Sequence, residues 1–172
     1  DAFTGNAVSG GVLGAVILAQ LGAQYAAVAA VPMIHNISTD TAEPPIFNKL
    51  VAIREAEDAN PLAYDAAVLA EQQQAAYPEV KTLVSSQPTN VSFNQAMLVL
   101  QDLGLEIVNE DTAAGVIEAT ATTFWFGFKD DIVVRITDND SARLVDIRSK
   151  SRVGGSDLGK NAARIGTFID EL

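Results

Sequence analysis

Three cations near the C-terminal end of the chain have a spacing that could bind an anion. Arg148, Lys150 and Arg152 occupy alternate positions, so a β-strand would place them on one face, with neighbours about 7 Å apart. Like charges at that distance repel one another unless a negative group lies among them. The pattern predicts either a site for a carboxylate, phosphate or sulfate head group, or neutralisation within the domain. The acidic residues available for neutralisation are Asp130, Asp131, Asp146, Asp157 and Asp170.

The residues that follow this strand would extend an anion site. Gly154 and Gly155 lead to a predicted helix that Ser156 or Asp157 would cap. A helix N-terminus offers unpaired backbone N–H groups and the positive end of the helix dipole, and both attract anions. We therefore include Ser156, Asp157 and Asn161 with the three cations as candidate binding residues.

A run of large aromatic residues lies earlier in the same half of the chain. In an extended strand Phe124, Phe126 and Phe128 would share one face, and Trp125 would point to the other. We expect most of these rings to pack in the core. Because a two-layer domain cannot bury large aromatics on both faces of a strand, one side could line a ligand pocket or touch lipid. Trp125 is therefore a candidate for binding the apolar part of a ligand.

Residue types that support catalysis or metal binding are sparse. His35 is the only histidine, its nearest acidic neighbours in sequence are Asp40 and Glu43, and the chain has no cysteine. Asp130 and Asp131 would project to opposite faces of a strand, so their carboxylates would not converge on one substrate. No phosphate-binding loop, dinucleotide fingerprint or nucleophile elbow is present. We expect a structural role for His35, no metal, no cofactor and no enzymatic activity.

Helices and strands are predicted in separate parts of the chain, because the apolar period changes from 3.6 to 2 after Gly104. The predicted helices are a short one opened by Pro45, one from Asn60 and Pro61 to about Ala76, one from Asn90 to Gly104, and a last one capped by Ser156 or Asp157. The predicted strands span residues 105–109, 115–127, 131–137 and 144–153. Short connections favour antiparallel pairing. The prediction is an α+β, two-layer domain with a four-stranded antiparallel sheet and packed helices.

An uncharged segment precedes this domain. From Ala2 to Ile34 there is no acidic or basic residue, and Val8 to Val31 is rich in small and aliphatic residues. About 20 apolar residues suffice to span a membrane, although Gln20 and Gln24 weaken the pattern. A cleaved signal peptide and a buried soluble helix are the alternatives. We favour a transmembrane helix within residues 1–33 and a single α+β domain over residues 34–172.

The charge distribution limits the classes of partner. The formal net charge is −11, yet 8 of the 11 basic residues lie within residues 129–172. An acidic surface repels phosphate backbones, so we expect no nucleic-acid partner.

Several stretches carry motifs that occur together in one family. They are Ile34 to Asp40 with Pro44 and Pro45, Asn60 and Pro61 with Tyr64, Gln73 and residues 76–78, Ile117 to Thr120, Trp125 to Asp131, Asp146 to Gly154, and Ser156 to Gly159 with Asn161, Ala162, Arg164 and Ile165. On these residues the chain resembles the family of domain of unknown function 1499, over residues 34–169. Asn36, Leu105 and Val116 depart from its pattern. The resemblance implies a membrane or cell-envelope location and no established reaction.

Two functions follow as hypotheses. The first is a non-enzymatic, membrane-anchored accessory subunit that docks onto a membrane protein complex, of the photosynthetic or respiratory kind, at a cell envelope (periplasmic side) or a thylakoid-type membrane. The alternative is a binding module for an amphiphilic anion such as a lipid or fatty acid, with Arg148, Lys150 and Arg152 at the head group.

Overall fold

The computed structural model describes residues 2–29, 31–138 and 142–172, and the side chains of the first helix only for residues 12–26. These residues form two compact units, Asp1–Pro32 and Met33–Leu172.

The first unit consists of one helix, α1 (Ala2–Ala29). Its large apolar side chains between residues 12 and 26 are exposed. Among the residues that the structure describes, no helix is both long and apolar enough to cross a membrane. The helix itself agrees with the prediction, but the prediction of a transmembrane helix is not supported. Several glycines and the polar Gln20 and Gln24 dilute the apolar character of the segment.

The second unit is an α+β domain built on an antiparallel sheet. Its strands are β1 (Asn36–Ser38), β2 (Leu83–Ser85), β3 (Glu106–Asp111), β4 (Val116–Thr122), β5 (Lys129–Asp138) and β6 (Arg143–Ser151). Its helices are α2 (Lys49–Ala56), α3 (Ala66–Ala76), α4 (Thr89–Asp102) and α5 (Lys160–Glu171). The order in the sheet is β1-β6-β5-β4-β3, and β2 also pairs with β6.

The sheet has six strands, so the prediction of four is wrong. The four predicted strands are present as β3 to β6, with shifted ends. The two additional strands, β1 and β2, pair with different parts of β6, at Arg148 to Lys150 and at Arg143 to Val145. Each has only three residues, too few to show an alternating pattern in the sequence.

The two faces of the sheet have different chemistry. One face carries Ile132, Val134 and Ile147 into the main apolar core, which α4 and α5 complete with residues such as Phe93 and Phe168. This burial of apolar area is the main stabilising contribution to the fold.

The opposite face carries most of the buried charged residues. Helix α2 and the loops on either side of it cover this face. Phe47 and Leu50 pack there on Val133 of β5. The domain is therefore more than two layers, and the polar face is internal.

Local hydrogen bonds explain the one large difference in helix boundaries. The predicted helix from Asn60 begins only at Ala66. Asn60 is not a cap: its backbone N–H donates to the carbonyl of Arg152 (2.7 Å), and its side-chain amide donates to the carbonyl of Gly154 (2.9 Å). The segment before α3 is thereby tied to the end of β6.

Gln73 of α3 closes the free edge of the sheet. Its Nε2 donates to the carbonyl of Ser38 (2.7 Å), and its Oε1 accepts from the Ser38 N–H (2.9 Å). The side chain thus acts as one residue of a neighbouring strand and satisfies backbone groups that an edge strand leaves unpaired.

Candidate functional site

Arg148 lies near the middle of the covered face. It is opposite Val133 of β5 and Ser38 of β1, so its position follows from the strand register. Only 4% of the residue is exposed. The alternation predicted from the sequence is therefore correct, but this cation is buried.

The Arg148 guanidinium holds together loops that are distant in sequence. Nε donates to Asn36 Oδ1 (3.0 Å), Nη1 donates to the carbonyl of Pro45 (3.1 Å), and Nη2 donates to the carbonyl of Leu62. The guanidinium carbon also lies 5.2 Å from the ring centroid of Phe47 and 5.5 Å from that of Tyr64.

No carboxylate pairs with Arg148 among the described residues. Neutral carbonyl oxygens and aromatic faces compensate part of its charge, but burial still lowers the pKa of Arg148 to about 10. Fully buried cations in proteins are normally paired with an anion. Arg148 is therefore a buried positive charge without a counter-ion among the described residues.

A cleft of about 640 Å³ opens beside Arg148. Its walls are mainly apolar, and they include charged groups at only a few points. The lining residues are Glu43, Pro44, Ile46, Phe47, Val51, Leu62, Tyr64, Arg135 and Arg148. An apolar cavity of this size with a few polar groups is typical of a small-molecule site.

Arg135, the other cation of the cleft, is already paired. Its Nη2 lies 2.9 Å from Asp40 Oδ2 and 2.8 Å from Asp146 Oδ2, and its Nη1 donates to the carbonyl of Glu43. Its charge is thus offset by two carboxylates of the same domain.

Arg152 is also neutralised inside the domain and does not line the cleft. Its Nε and Nη2 donate to the two oxygens of Asp131, at 2.8 and 2.7 Å, and its Nη1 lies 2.6 Å from Glu57. Arg54 of α2 adds a third contact to Asp131, at 2.6 Å. For Arg152 the prediction of an anion-binding role is therefore wrong, and the alternative of neutralisation by Asp131 is correct.

Lys150 lies between Arg148 and Arg152 on the same face. It is 5% exposed, and its Nζ makes no hydrogen bond or ion pair within the described part of the chain. Burial, together with the charges of Arg148 and Arg54, lowers the pKa of Lys150 to about 8. The cleft lining does not include this residue.

The predicted helix N-terminal site does not form. Helix α5 begins at Lys160, and the Asp157 carboxylate accepts from the N–H groups of Gly159 and Asn161, both at 2.9 Å. Ser156 Oγ accepts from the Leu158 N–H. These bonds leave the helix start capped by its own chain.

Asn161, a residue of α5, contacts the face of β6 opposite to the one that carries Arg148. Its Oδ1 accepts from Ser149 Oγ (2.6 Å), and its Nδ2 donates to Ser151 Oγ (3.1 Å) and to the carbonyl of His35 (3.2 Å). The residues Ser156, Asp157 and Asn161 therefore do not join Arg148 in one site, and that prediction is wrong.

The aromatic run forms an exposed loop and not a strand. Strand β4 ends at Thr122, and residues 123–128, here the aromatic loop, turn back through bonds from the Thr123 N–H to the Phe128 carbonyl (2.8 Å) and from the Gly127 N–H to the Thr123 carbonyl (3.0 Å). Gly127 has φ +64°, a conformation that interrupts an extended strand. Trp125 is 85% exposed and does not line the cleft. The prediction of core packing is therefore wrong, and Trp125 is not part of the cleft beside Arg148.

Glu118 is a positioning residue that sequence reasoning missed. It is fully buried on β4, and its carboxylate accepts from the backbone N–H groups of Asn48 (2.7 Å), Lys49 (2.8 Å) and Leu50 (3.3 Å). A carboxylate from the sheet thus caps α2, next to Phe47 of the cleft. The one signal in the sequence is an acidic residue between the apolar Ile117 and Ala119 of a strand.

The adjacent carboxylates of Asp130 and Asp131 do not converge on one site. Asp130 and Asp131 project to opposite faces, toward Arg164 and Arg152. Within the part of the chain that the structure describes, no group of three or more His, Cys, Asp or Glu side chains could hold a metal ion.

Comparison with known proteins identifies the family. Residues 36–172 match the family model described as protein of unknown function (DUF1499). The chain belongs to this family. The matched range contains all six strands and every residue of the cleft lining, so the cleft is part of the DUF1499 domain. No curated protein matches the chain.

Proposed function

We propose that the DUF1499 domain of this chain binds a small amphiphilic anion in the cleft beside Arg148. The observation that supports the proposal is a buried guanidinium without a carboxylate partner at the wall of an apolar cleft. An anionic head group at Arg148 would supply the missing counter-charge through charge-assisted hydrogen bonds. The apolar walls would cover the rest of the ligand.

The competing interpretation is that Arg148 only ties loops to the sheet. Its bonds to the carbonyls of Pro45 and Leu62 do stabilise the loops on either side of α2. A purely structural role of Arg148 requires no positive potential at the cleft surface. The two interpretations therefore predict different effects on ligand affinity when a negative charge is placed at the exposed rim of the cleft, where a substitution does not endanger the fold.

Ile46 provides that rim position, because it lines the cleft and is 74% exposed. We expect Ile46→Glu to weaken binding of an amphiphilic anion at least about tenfold, a change of about 1.4 kcal/mol. Ile46→Gln has the size of the Glu variant without its charge, so it should lose only the apolar contact of Ile46 and bind more tightly than Ile46→Glu. Calorimetric titration with decanoate measures both, and equal affinities for the two variants would contradict a charge-dependent site.

A direct test uses Arg148 itself in the full chain. Native mass spectrometry of the purified protein should show a retained small molecule, and Arg148→Met should abolish its retention. The matched control is Arg143→Met, on the same strand, where the half-buried side chain pairs loosely with Asp138 (3.6 Å). Equal retention by Arg148→Met and the wild type, with both folded by circular dichroism, would remove this function.

We also propose a docking role, as an accessory subunit of a membrane protein complex at a cell-envelope or thylakoid-type membrane. The supporting observation is the aromatic loop, in which Phe124 and Trp125 contact edge-on and Phe126 and Phe128 stack, all exposed. Exposed aromatic clusters are typical of interaction surfaces.

The docking role predicts that Trp125→Ala combined with Phe126→Ala releases the chain from a membrane complex isolated from its source. Val84→Ala, at an exposed apolar position of β2, is the control. Co-migration of the double variant with the complex at wild-type level would exclude this role for the loop.

A further inference from the structure

The charges around the cleft can accommodate only one negative charge on a ligand. We infer that the ligand is a monoanion with a carboxylate head group and an apolar tail, and not a phosphate monoester. This inference rests on the proposed binding of an amphiphilic anion at Arg148.

The first argument is the charge balance at the cleft. Arg135 faces two carboxylates, Asp40 and Asp146, and a third acidic side chain, Glu43, lies on the lining itself. Only Arg148 remains uncompensated among the lining residues. A single negative charge completes its pairing, whereas a second one would find no free cation and would be repelled by Glu43.

Lys150 does not alter this balance at the surface of the cleft. The residue is 5% exposed and absent from the lining, so it raises the local positive potential without offering a hydrogen bond to a ligand there. It favours an anion at Arg148 over a neutral molecule, but it does not bind a second negative oxygen.

The second argument is the number of free donors. The domain uses one N–H of Nε, one of Nη1 and one of Nη2, in the bonds to Asn36, Pro45 and Leu62. One N–H of each terminal nitrogen remains. Two remaining donors are enough for the two oxygens of a carboxylate. The third oxygen of a phosphate would meet the apolar walls or Glu43 and would be left desolvated without a partner.

The third argument is the shape of the head-group site. Phe47 and Tyr64 lie against the Arg148 guanidinium, at 5.2 and 5.5 Å from its carbon. The rings restrict access to the faces of the cation, so a ligand approaches its edge, as a planar carboxylate does. Beyond the head group, Ile46 and Val51 offer an apolar surface for an alkyl tail.

The test is a calorimetric comparison of three ligands with the same tail, using the full chain at pH 8: decanoate, decyl phosphate and decanol. Decyl phosphate is a dianion at that pH, since its second pKa is about 6. We expect decanoate to bind at least about tenfold more tightly than either of the other two, about 1.4 kcal/mol. Arg148→Met should reduce the affinity for decanoate to that for decanol. Ile46→Glu should weaken decanoate more than Ile46→Gln does, whereas the two Ile46 variants should bind decanol equally.

The outcomes separate the inference from the function on which it rests. Decyl phosphate binding as tightly as decanoate, with both weakened by Ile46→Glu, would overturn the carboxylate assignment and keep the anion site. Decanol binding as tightly as decanoate would show that the cleft takes neutral apolar molecules, and this would overturn both. Absence of binding by all three ligands would also overturn both.

Discussion

Arg148, Lys150 and Arg152 have the same spacing and the same strand face, but their surroundings are different. Arg152 has a bidentate contact with Asp131, Arg148 has carbonyls and aromatic rings, and the Lys150 amine has no partner among the described residues. At the residue scale the excess positive charge is therefore at Arg148 and Lys150. The first lines the cleft and can reach a ligand there, whereas the second lies outside the lining and its burial disfavours the charged form.

The lowered pKa of Lys150 predicts that the free energy of unfolding depends on pH within a defined window. The folded state lowers the pKa of Lys150 from 10.5 to about 8, first through burial and then through Arg148 and Arg54, although Asp131 is its neighbour on β5. The unfolded chain therefore binds more protons between about pH 8 and 10.5, and the stability of the wild type rises across that window. At pH 7 we expect Lys150→Met to increase the free energy of unfolding by about 1–3 kcal/mol.

Urea denaturation at pH 7 and pH 10 measures this effect. The advantage of Lys150→Met should shrink at pH 10, because the wild-type amine is then neutral in the folded state. Lys49→Met, at an exposed position of α2, should change stability by less than about 0.5 kcal/mol at either pH. A Lys150→Met variant with the same stability difference at both pH values would contradict the assigned burial of charge.

At the element scale the cleft depends on α2, a helix of eight residues that is too short to be stable alone. Its cap residue Asn48 makes no side-chain cap bond, and Glu118 of β4 supplies the missing acceptor. The sheet thus fixes the start of the helix, and the helix start fixes Phe47 beside Arg148.

Glu118→Gln tests this dependence. An amide places N–H donors against the backbone N–H groups of α2, so we expect a loss of about 1–3 kcal/mol in stability. Hydrogen exchange at Asn48 to Leu50 should become faster, and decanoate affinity should fall. Glu110→Gln, at an exposed position of β3, is the control and should change neither. Unchanged exchange rates in Glu118→Gln would show that α2 is held by other contacts.

The elements that could be predicted are those with long periodic patterns. Strands β3 to β6 and helices α4 and α5 follow from alternation or helical spacing sustained over several residues. The aromatic loop was mistaken for a strand because its composition favours strands, while Gly127 turns the chain back. Strands β1 and β2 are too short to give a pattern.

The candidate site could be predicted only in part. Strand alternation placed Arg148 correctly on a polar face, because that face depends on local sequence alone. The residues that cover that face could not be predicted. They include Pro45 and Leu62, which lie 103 and 86 residues from Arg148 in the chain. Which of the cations pair with carboxylates also depends on tertiary packing, so it could not be predicted from the sequence.

At the scale of the whole molecule, the domain has its own core, which lies entirely within residues 33–172. A unit with its own apolar core can fold alone. We therefore expect a chain of residues 33–172 to keep its free energy of unfolding within about 0.5 kcal/mol of the full chain. Denaturation of the two proteins side by side measures this, and an unfolded or aggregated shorter chain would contradict the division into units.

The most direct test of the account is to locate a bound monoanion on the full chain by nuclear magnetic resonance. With decanoate bound, the account predicts changes in the guanidinium resonances of Arg148 and nuclear Overhauser effects between the alkyl chain and the rings of Phe47 and Tyr64. The resonances of Trp125, outside the cleft, should stay unchanged. Shifts confined to the aromatic loop or to α1, with Arg148 unaffected, would contradict the assignment of the cleft as the binding site.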